Sequence, residues 1–367
     1  MSQPAIPPSA DPATVFRDDL TSMSAYAVQD SRGLRKLDAM ENPHTLPEAL
    51  QAELGLRLGR VALNRYPGPR VRELAARLRT HAQIPDHFGL CLGNGSDELI
   101  SMLAMACARP GATVLAPVPG FVMYEMSARL QGLAFVGVPL TPDFALDEGA
   151  MLEAIARHRP ALVYLAYPNN PTANLWDDTA MARIVDAAPG LVVIDEAYQP
   201  FAGRSYLERA AAQHKVLVMR TLSKFGLAGV RIGYLVGPSA LVGEIEKVRP
   251  PYNVSSLNAE CALFALDHAD EFDRQARDIV ARRAELQQAL SRMAGVRAYP
   301  SDANMILVRV LPPDTRRVDA VHRGMRERGV LVKNVSGLHP LLANCLRLTV
   351  GTVDDNRAML AALEASL

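Results

Sequence analysis

The chain has 367 residues and a mass of 39.8 kDa, a length that predicts about two domains with a large buried core and excludes a peptide hormone or a lone binding module. Its 39 Lys and Arg residues balance 39 Asp and Glu residues, so no net charge draws the protein toward nucleic acid or an anionic membrane. Hydrophobic residues make up 49% of the chain and charged residues 21%, which is typical of a folded globular protein and excludes a disordered one.

The N-terminal segment Met1–Asp19 has no basic start followed by an apolar run, so it does not resemble a signal peptide. No apolar stretch approaches the roughly 20 residues that a membrane helix needs. The four cysteines form no Cys-x-x-Cys pair, and no nearby histidine completes a zinc site. We therefore expect reduced thiols, no bound metal, no membrane association and a cytoplasmic location.

From Leu46 to Val236, helical stretches alternate with short apolar runs rich in β-branched residues. This alternation is typical of parallel strands that crossover helices bury on both faces. The runs predicted to be strands are Leu90–Leu92, Thr113–Ala116, Ala134–Val138, Leu162–Tyr167, Leu191–Ile194, Val216–Arg220 and Ile232–Val236. Amphipathic segments such as Asp97–Cys107 lie between them and predict helices. The pattern predicts an α/β fold with one large, mostly parallel seven-stranded sheet.

The pattern changes after Pro250 and Pro251, which are the best candidate for a domain boundary. The elements predicted beyond them are a long helix over Asp270–Met293, a strand over Met305–Val310, a helix near Arg316–Arg328, a strand near Leu346–Val350 and a terminal helix from Asp354. These elements predict a smaller α+β domain. The expected organisation is an N-terminal arm with part of the small domain over residues 1–45, a large domain over 46–250 and a small domain over 251–367.

Ligands of an open α/β sheet bind where the carboxyl ends of strands meet helix N-termini. The first predicted strand is followed by Gly93-Asn94-Gly95-Ser96-Asp97-Glu98, whose glycines allow a sharp turn and whose Ser96 is expected to cap the next helix. Exposed amides at such a turn suit a phosphate. The segment has neither the Gly-Lys-Ser/Thr of a Walker A loop nor a complete Gly-x-Gly-x-x-Gly motif, and a plain helix cap is the alternative.

Two further strand ends carry polar residues. The fourth strand ends in Tyr167-Pro168-Asn169-Asn170-Pro171-Thr172, a rigid turn whose asparagines can serve the turn alone. The fifth places Asp195 at the end of a buried apolar run, with Tyr198 three residues later. A carboxylate there is costly without a cationic partner, although a helix cap is again the alternative.

The sixth strand leads into Thr221-Leu222-Ser223-Lys224, and Arg231 lies seven positions after Lys224. Small and apolar residues surround Lys224, and desolvation of an amine lowers its pKa and favours the neutral form that attacks carbonyl groups. The two hydroxyls and the arginine are suitable donors for a phosphate. A Ser-Lys pair alone is often an ordinary surface feature, so the functional interpretation depends on the ordered combination of all these motifs.

In chain order, this combination closely resembles the fold-type-I pyridoxal-phosphate aminotransferases of the aspartate-aminotransferase superfamily, and within them the histidinol-phosphate aminotransferases. The segments that carry the resemblance are Glu41-Asn42-Pro43, Asn64-Arg65-Tyr66-Pro67, Gly95-Ser96-Asp97-Glu98, Thr221-Leu222-Ser223-Lys224 and Cys345-Leu346-Arg347-Leu348-Thr349-Val350-Gly351-Thr352. It extends from about Tyr26 to Ala361. It implies pyridoxal 5′-phosphate as cofactor and a homodimer with shared active sites.

The resemblance also implies a role for each cofactor-binding residue. Lys224 would bind the cofactor covalently and move the proton of the substrate α-carbon. Asp195 would pair with the protonated pyridine nitrogen, while Asn170 and Tyr198 would bond the phenolic oxygen. Phe121 takes the position of the aromatic residue that stacks on the ring, where many relatives have tyrosine. The residues placed around the cofactor phosphate are Ser96, Asp97, Thr221, Ser223 and Arg231.

The remaining implied residues concern the substrate and the second subunit. Tyr66 would reach the cofactor phosphate of the other subunit, although a plain interface aromatic is the alternative. Arg347 matches the arginine that receives the anionic end of the substrate, for which a bidentate guanidinium is well suited. Tyr26 and Asn42 match further positions of the substrate pocket.

Three positions depart from the pattern of the family. The spacing from Lys224 to Arg231 is one residue shorter than the commonest spacing, which affects the expected reach of Arg231 to the phosphate. Ala173 stands where glycine is usual, so its turn must avoid a positive φ or accept strain. Lys333 stands where some relatives have arginine.

The resemblance predicts transamination of L-histidinol phosphate with 2-oxoglutarate to imidazole acetol phosphate and L-glutamate, a step of histidine biosynthesis. An aromatic amino-acid aminotransferase or a threonine-phosphate decarboxylase remains the alternative, because these enzymes share the cofactor cradle and the substrate-anion arginine. A pyridoxal-phosphate-dependent DNA-binding regulator is disfavoured by the neutral charge, and about forty residues before the cofactor domain leave no room for a helix-turn-helix module.

Overall fold

The structure is a computed structural model that describes residues 11–21, 23, 28–312 and 314–367. The chain divides into two compact units, Met1–Arg32 and Gly33–Leu367. The first unit contains two short helices, α1 (Pro12–Val15) and α2 (Asp18–Thr21). Asp11 caps α1, because its side chain accepts a hydrogen bond from the amide of Ala13.

The second unit alternates strands and helices along most of its length. Its strands are β1 (Arg35–Lys36), β2 (Phe88–Gly93), β3 (Thr113–Val118), β4 (Ala134–Pro139), β5 (Leu162–Ala166), β6 (Leu191–Asp195), β7 (Val216–Thr221), β8 (Gly233–Pro238), β9 (Val296–Ala298), β10 (Met305–Val310), β11 (Val330–Leu331), β12 (Lys333–Asn334) and β13 (Cys345–Thr349). Its helices are α3 (Glu48–Gly59), α4 (Pro69–His81), α5 (Gly95–Cys107), α6 (Met123–Leu130), α7 (Glu148–His158), α8 (Asp178–Ala187), α9 (Gln199–Ala202), α10 (Leu207–Ala210), α11 (Ser239–Glu246), α12 (Ser256–Asp267), α13 (Ala269–Arg292), α14 (Thr315–Glu327) and α15 (Val353–Glu364).

The large sheet has seven strands in the order β2-β8-β7-β6-β5-β3-β4. Strand β8 runs antiparallel to its neighbours β2 and β7, and the other pairs are parallel. All seven predicted strands are confirmed, with ends that shift by at most two residues. The central strands β5 and β6 consist almost wholly of buried apolar residues, which explains why their sequences form continuous apolar runs.

A second sheet of four antiparallel strands has the order β12-β13-β10-β9. Its core includes buried residues of α13, α14 and α15, as the predicted helical periodicity requires. Helix α15 begins with a capping box in which Thr352 and Asp355 bond each other's backbone amides. The short strands β1 and β11 form a separate parallel pair.

Helix α12 follows Pro250 and Pro251, yet it packs against α3 and α4 and contributes Ala262 and Leu263 to the core of the large sheet. The predicted domain boundaries at residues 46–250 and 251–367 stay a prediction. Across the part of the chain that the structure describes, no helix combines the length and the apolar character that a membrane span requires.

Candidate active site

A cavity of about 320 Å³ lies at the carboxyl ends of β5, β6 and β7. Its volume lies within the roughly 300–1,000 Å³ that is typical of small-molecule sites. The residues of the sequence-based prediction that line it are Ser96, Asp97, Phe121, Asn170, Asp195, Tyr198, Thr221, Ser223, Lys224 and Arg231. Strand ends that are far apart in the sequence therefore supply one continuous site.

Lys224 lies in an irregular turn, Ser223–Leu227, directly after β7. Gly226 has φ +132° in this turn, and a Cβ there would lie 2.9 Å from the ring of Phe272, so only glycine fits. The Lys224 ammonium donates a hydrogen bond to the carbonyl of Ala39 over 3.1 Å. Burial, followed by the positive charge of Arg347, lowers the pKa of Lys224 to about 8. A neutral amine is thus accessible near physiological pH.

Asp195 is 5% exposed and ends β6. Its Oδ2 accepts a hydrogen bond from the hydroxyl of Tyr124 over 2.6 Å, and its Oδ1 accepts one from the amide of Ala197 over 3.0 Å. Burial raises the pKa of Asp195 to about 6, although both hydrogen bonds act in the opposite direction. A cationic partner in the cavity would therefore favour the ionised carboxylate.

Tyr124 is a site residue that the sequence reasoning missed. It lies in the first turn of α6, and its ring stacks on that of Tyr164 with centroids 4.2 Å apart. Burial and the adjacent Asp195 raise the pKa of Tyr124 well above its ordinary value, so its hydroxyl remains a donor. Spacing along a helix face could not have identified it, because Phe121 precedes α6.

The polar end of the cavity combines hydroxyls with an arginine. The hydroxyl of Thr221 lies 3.0 Å from that of Ser223, and Arg231 donates to Ser223 over 3.4 Å and to Asp97 over 3.1 Å. Gly95 has φ +74°, and a Cβ on it would lie 2.8 Å from the guanidinium of Arg231. Arg231 therefore reaches the polar end of the cavity despite its shorter spacing from Lys224.

The prediction that Ser96 caps α5 is wrong. The helix begins at Gly95, its cap position is Asn94, and no side chain caps it there. The carboxylate of Glu98 instead accepts a hydrogen bond from the amide of Asn94 over 2.7 Å. Ser96 consequently lies inside the first turn and lines the cavity.

Arg347 belongs to β13 of the four-stranded sheet, and its side chain contacts Asn170 at the edge of the cavity. Its Nη1 donates to Oδ1 of Asn170 over 2.7 Å, and its Nη2 donates to the carbonyl of Asp38 over 2.7 Å. Lys333 lies opposite Arg347 in the β12–β13 pair. Ala173, beyond Asn170 in the same turn, is fully buried with φ +66°, so this turn accepts the unfavourable conformation where glycine was expected.

Of the predicted residues that the structure describes, Tyr66, Asn42 and Arg347 do not line the cavity. Tyr66 is 79% exposed, and its ring stacks on Tyr252 with centroids 4.6 Å apart. The side-chain amide of Asn42 donates to Gln275 over 2.9 Å, and its oxygen accepts from the amide of His44. The prediction for Tyr26 falls outside the described residues.

The chemistry of the cavity fits pyridoxal 5′-phosphate. Hydroxyls, an arginine and the start of α5 suit a phosphate, Asp195 suits a protonated pyridine nitrogen, and Lys224 suits an aldehyde. A Cβ at Gly233 would lie 2.8 Å from the amide nitrogen of Ser96, so glycine there allows β8 to pack against the start of α5.

Comparisons with known proteins agree with this geometry. The family model of aminotransferase class I and II matches residues 36–363. The histidinol-phosphate aminotransferase of Methylibium petroleiphilum is 67% identical over 97% of this chain and 95% of its own. That of Polaromonas naphthalenivorans is 64% identical over 96% of each chain. The crystal structure of histidinol-phosphate aminotransferase from Sinorhizobium meliloti in complex with pyridoxal-5′-phosphate has a TM-score of 0.84 and 24% identity, and the match covers 96% of this chain and 97% of that one. The chain therefore belongs to the class I and II aminotransferases and, within them, to the histidinol-phosphate aminotransferase family.

Proposed function

We propose that the protein transfers the amino group of L-histidinol phosphate to 2-oxoglutarate, giving imidazole acetol phosphate and L-glutamate, with pyridoxal 5′-phosphate as cofactor. The observation that carries the proposal is that Lys224, Asp195 and Arg231 line one cavity. The 67% identity to a histidinol-phosphate aminotransferase supports this choice of substrate over the aromatic amino-acid and threonine-phosphate alternatives.

When bound, pyridoxal 5′-phosphate supplies an electron sink for the charge that develops at the substrate α-carbon. Lys224 would hold its aldehyde carbon, Asp195 its pyridine nitrogen and Phe121 its ring face. The residues that would hold its phosphate are Ser96, Asp97, Thr221, Ser223 and Arg231. Tyr124 holds the Asp195 carboxylate in place through its 2.6 Å hydrogen bond, and the charge of Asp195 would favour a protonated pyridine nitrogen.

Lys224 is the proton carrier. With a pKa of about 8, its amine is present in both protonated and neutral forms near physiological pH. The neutral form would accept the proton of the substrate α-carbon, and the protonated form would deliver it to the cofactor carbon that had carried the aldehyde. The carbonyl of Ala39 lies 3.1 Å from Nζ and orients the amine for both proton transfers.

Arg347 would bind the anionic end of each substrate. Hydrogen bonds to Asn170 and to the carbonyl of Asp38 hold its guanidinium in one plane at the edge of the site. A planar guanidinium binds both phosphates and carboxylates through paired hydrogen bonds. One residue can therefore serve histidinol phosphate in one half-reaction and glutamate in the other.

A homodimer is part of the proposal. Exposed apolar side chains cluster in the sequence around Tyr66 and Tyr252, among them Leu56 with 66% and Leu63 with 73% exposure. Exposed apolar surface of this kind is typical of a protein interface. We propose that a second copy of the chain covers it and that Tyr66 reaches the cofactor phosphate of that copy. The enzyme would act on small molecules in the cytoplasm, without a nucleic-acid partner.

The experiment that tests the proposed function is steady-state kinetics with a panel of amino donors and 2-oxoglutarate as acceptor. The donors are histidinol phosphate, phenylalanine, tyrosine and phosphothreonine. We expect the highest kcat/KM for histidinol phosphate, because relatives that are 67% and 64% identical to this chain are histidinol-phosphate aminotransferases. A preference for phenylalanine or tyrosine, or release of carbon dioxide from phosphothreonine, would contradict the substrate while leaving the cofactor chemistry in place.

A further inference from the structure

Two pairs of consecutive residues lie at the ends of neighbouring strands. Asp195 and Glu196 lie at the end of β6, and Arg220 and Thr221 lie at the end of β7. Asp195 and Thr221 line the active-site cavity. Their neighbours Glu196 and Arg220 instead line a second cavity of about 920 Å³, whose wall also includes Thr221. This division follows from strand geometry, because successive side chains of a strand point to opposite faces. Glu196 and Arg220 thus lie directly behind the residues that face the cofactor site.

Glu196 and Arg220 form a buried ion pair. Nε of Arg220 lies 2.8 Å from Oε2 of Glu196, with side-chain exposures of 12% and 0%. Ser205 donates to Glu196 over 2.9 Å and accepts from Nη2 of Arg220 over 2.8 Å. The amide of Tyr206 also donates to Glu196. The carboxylate of Glu196 is therefore saturated with donors.

The pair connects three neighbouring strands. Glu196 follows β6, and its amide donates to the carbonyl of Met219 in β7 over 2.8 Å. Arg220 belongs to β7 and lies opposite Tyr234 of β8 in the antiparallel ladder. The ion pair thereby restrains the spacing of β6 and β7 at the point where both strands enter the active site.

A buried ion pair is not explained by stability alone. Apolar residues of similar volume often replace such a pair without loss of stability, since desolvation of the two charges offsets their attraction. A requirement for geometry explains it better here. Asp195 directly precedes Glu196, while Thr221 and the turn of Lys224 directly follow Arg220.

We propose that Glu196 and Arg220 are positioning residues for the cofactor site, because their ion pair fixes Asp195 relative to Thr221 and to the turn that carries Lys224. This inference rests on the proposed function, in which the cavity binds pyridoxal 5′-phosphate. The pair does not touch the cavity that would hold the cofactor, so its effect on the cofactor is transmitted through Asp195 and Thr221.

The test uses a double variant, Glu196→Gln with Arg220→Met. Glutamine still accepts hydrogen bonds from Ser205 and Tyr206, and methionine keeps the unbranched stem of arginine. Val218→Ala is the matched control, because it removes buried apolar volume from the same strand and leaves the ion pair intact. Ser205→Ala is a milder second variant that removes only the bridging hydroxyl, and it decides the question if the double variant does not fold.

Three quantities are measured: the melting temperature without cofactor, the affinity for pyridoxal 5′-phosphate, and the pH midpoint of the visible absorption of the bound cofactor. We expect the double variant to bind the cofactor about tenfold more weakly or worse, as is common when residues that orient a site are changed. The pH midpoint should shift by about half a unit or more, because Asp195 moves relative to the bound ring. Ser205→Ala should shift both in the same direction by less.

The inference is overturned if cofactor affinity falls no further than in Val218→Ala, or if the pH midpoint does not move. A general loss of stability would lower the melting temperature of all variants but would leave that midpoint in place. Wild-type protein that bound no pyridoxal 5′-phosphate would refute the proposed function itself, and the positioning role with it.

Discussion

The hydroxyl of Tyr124 lies 2.6 Å from Oδ2 of Asp195 and donates a hydrogen bond to it. The Tyr124 ring stacks on Tyr164, and this stacking fixes the position of the hydroxyl. This hydrogen bond favours the ionised carboxylate and counters the effect of burial, which raises the pKa of Asp195. The protonation of Asp195 thus depends on a residue that the family motifs did not identify.

Tyr124→Phe removes only this hydroxyl. Loss of a hydrogen bond to the ionised form raises the pKa of Asp195, so the acidic limb of the kcat profile should move to higher pH, by about one unit. Tyr164→Phe is the control, because its hydroxyl contacts the carbonyl of Ile100 at 3.4 Å and not Asp195. Unchanged pH profiles in Tyr124→Phe would show that the hydrogen bond has no part in the reaction.

Lys224→Ala should lose the visible absorption of the lysine-bound cofactor and reduce kcat by about a thousandfold or more, because the residue both binds the cofactor and carries the proton. Lys247→Ala is the control, since that lysine is exposed and pairs with Glu244. Absorption spectra and steady-state rates are the measurements. A Lys224→Ala protein with wild-type spectrum and rate would refute the assignment.

The lowered pKa of Lys224 also predicts a stability effect in the protein without cofactor. Its folded pKa of about 8 lies below the ordinary 10.5, so the unfolded chain binds more protons between these values and stability rises with pH in that window. Lys224→Met should therefore stabilise the cofactor-free protein at pH 7, by about 3 kcal/mol at most, and most of this gain should be lost at about pH 10.5. Urea unfolding at both pH values measures it, and a gain that does not change with pH would contradict the assignment.

Arg347→Lys replaces a fork of donors by a point charge. We expect kcat/KM to fall by about a hundredfold for histidinol phosphate and for glutamate alike, because one guanidinium would serve both anions. Arg297→Lys is the control on the protein surface, where the side chain pairs with Asp143. If only one of the two substrates responded, the shared role of Arg347 would be wrong.

The homodimer is tested by charging the exposed apolar surface. Leu56→Asp combined with Leu63→Asp should yield a monomer in sedimentation and weaken cofactor binding, since Tyr66 would then be lost from the partner's site. Leu338→Asp is the control, because that leucine is also exposed, at 53%, but belongs to a different loop. A wild-type monomer with full activity would remove the basis for the role of Tyr66.

Much of the fold could be predicted from the sequence because the strands of the large sheet are buried on both faces. Short continuous apolar runs such as Leu162–Ala166 are typical of such strands. The rule that ligands bind at the carboxyl ends of strands then predicted that Asp195 and Lys224 lie in one site. The family was predicted correctly from the same segments, and the comparisons confirm it.

The rest depended on contacts between distant residues. Ser96 is of a residue type that often caps helices, but α5 begins one residue earlier, at Gly95. The carboxylate of Glu98 bonds the amide at the cap position, Asn94. Asn42 belongs to a family motif, yet its side chain bonds Gln275, which lies more than two hundred residues away. Residue types and spacings do not reveal such pairings, because any of several polar partners would satisfy the same group.

The carbonyls of two consecutive residues, Asp38 and Ala39, accept hydrogen bonds from Arg347 and Lys224. One peptide segment therefore contacts both the arginine that we propose binds the substrate anion and the lysine that we propose moves the proton. Attempts to retarget the enzyme by remodelling this segment would disturb turnover together with selectivity.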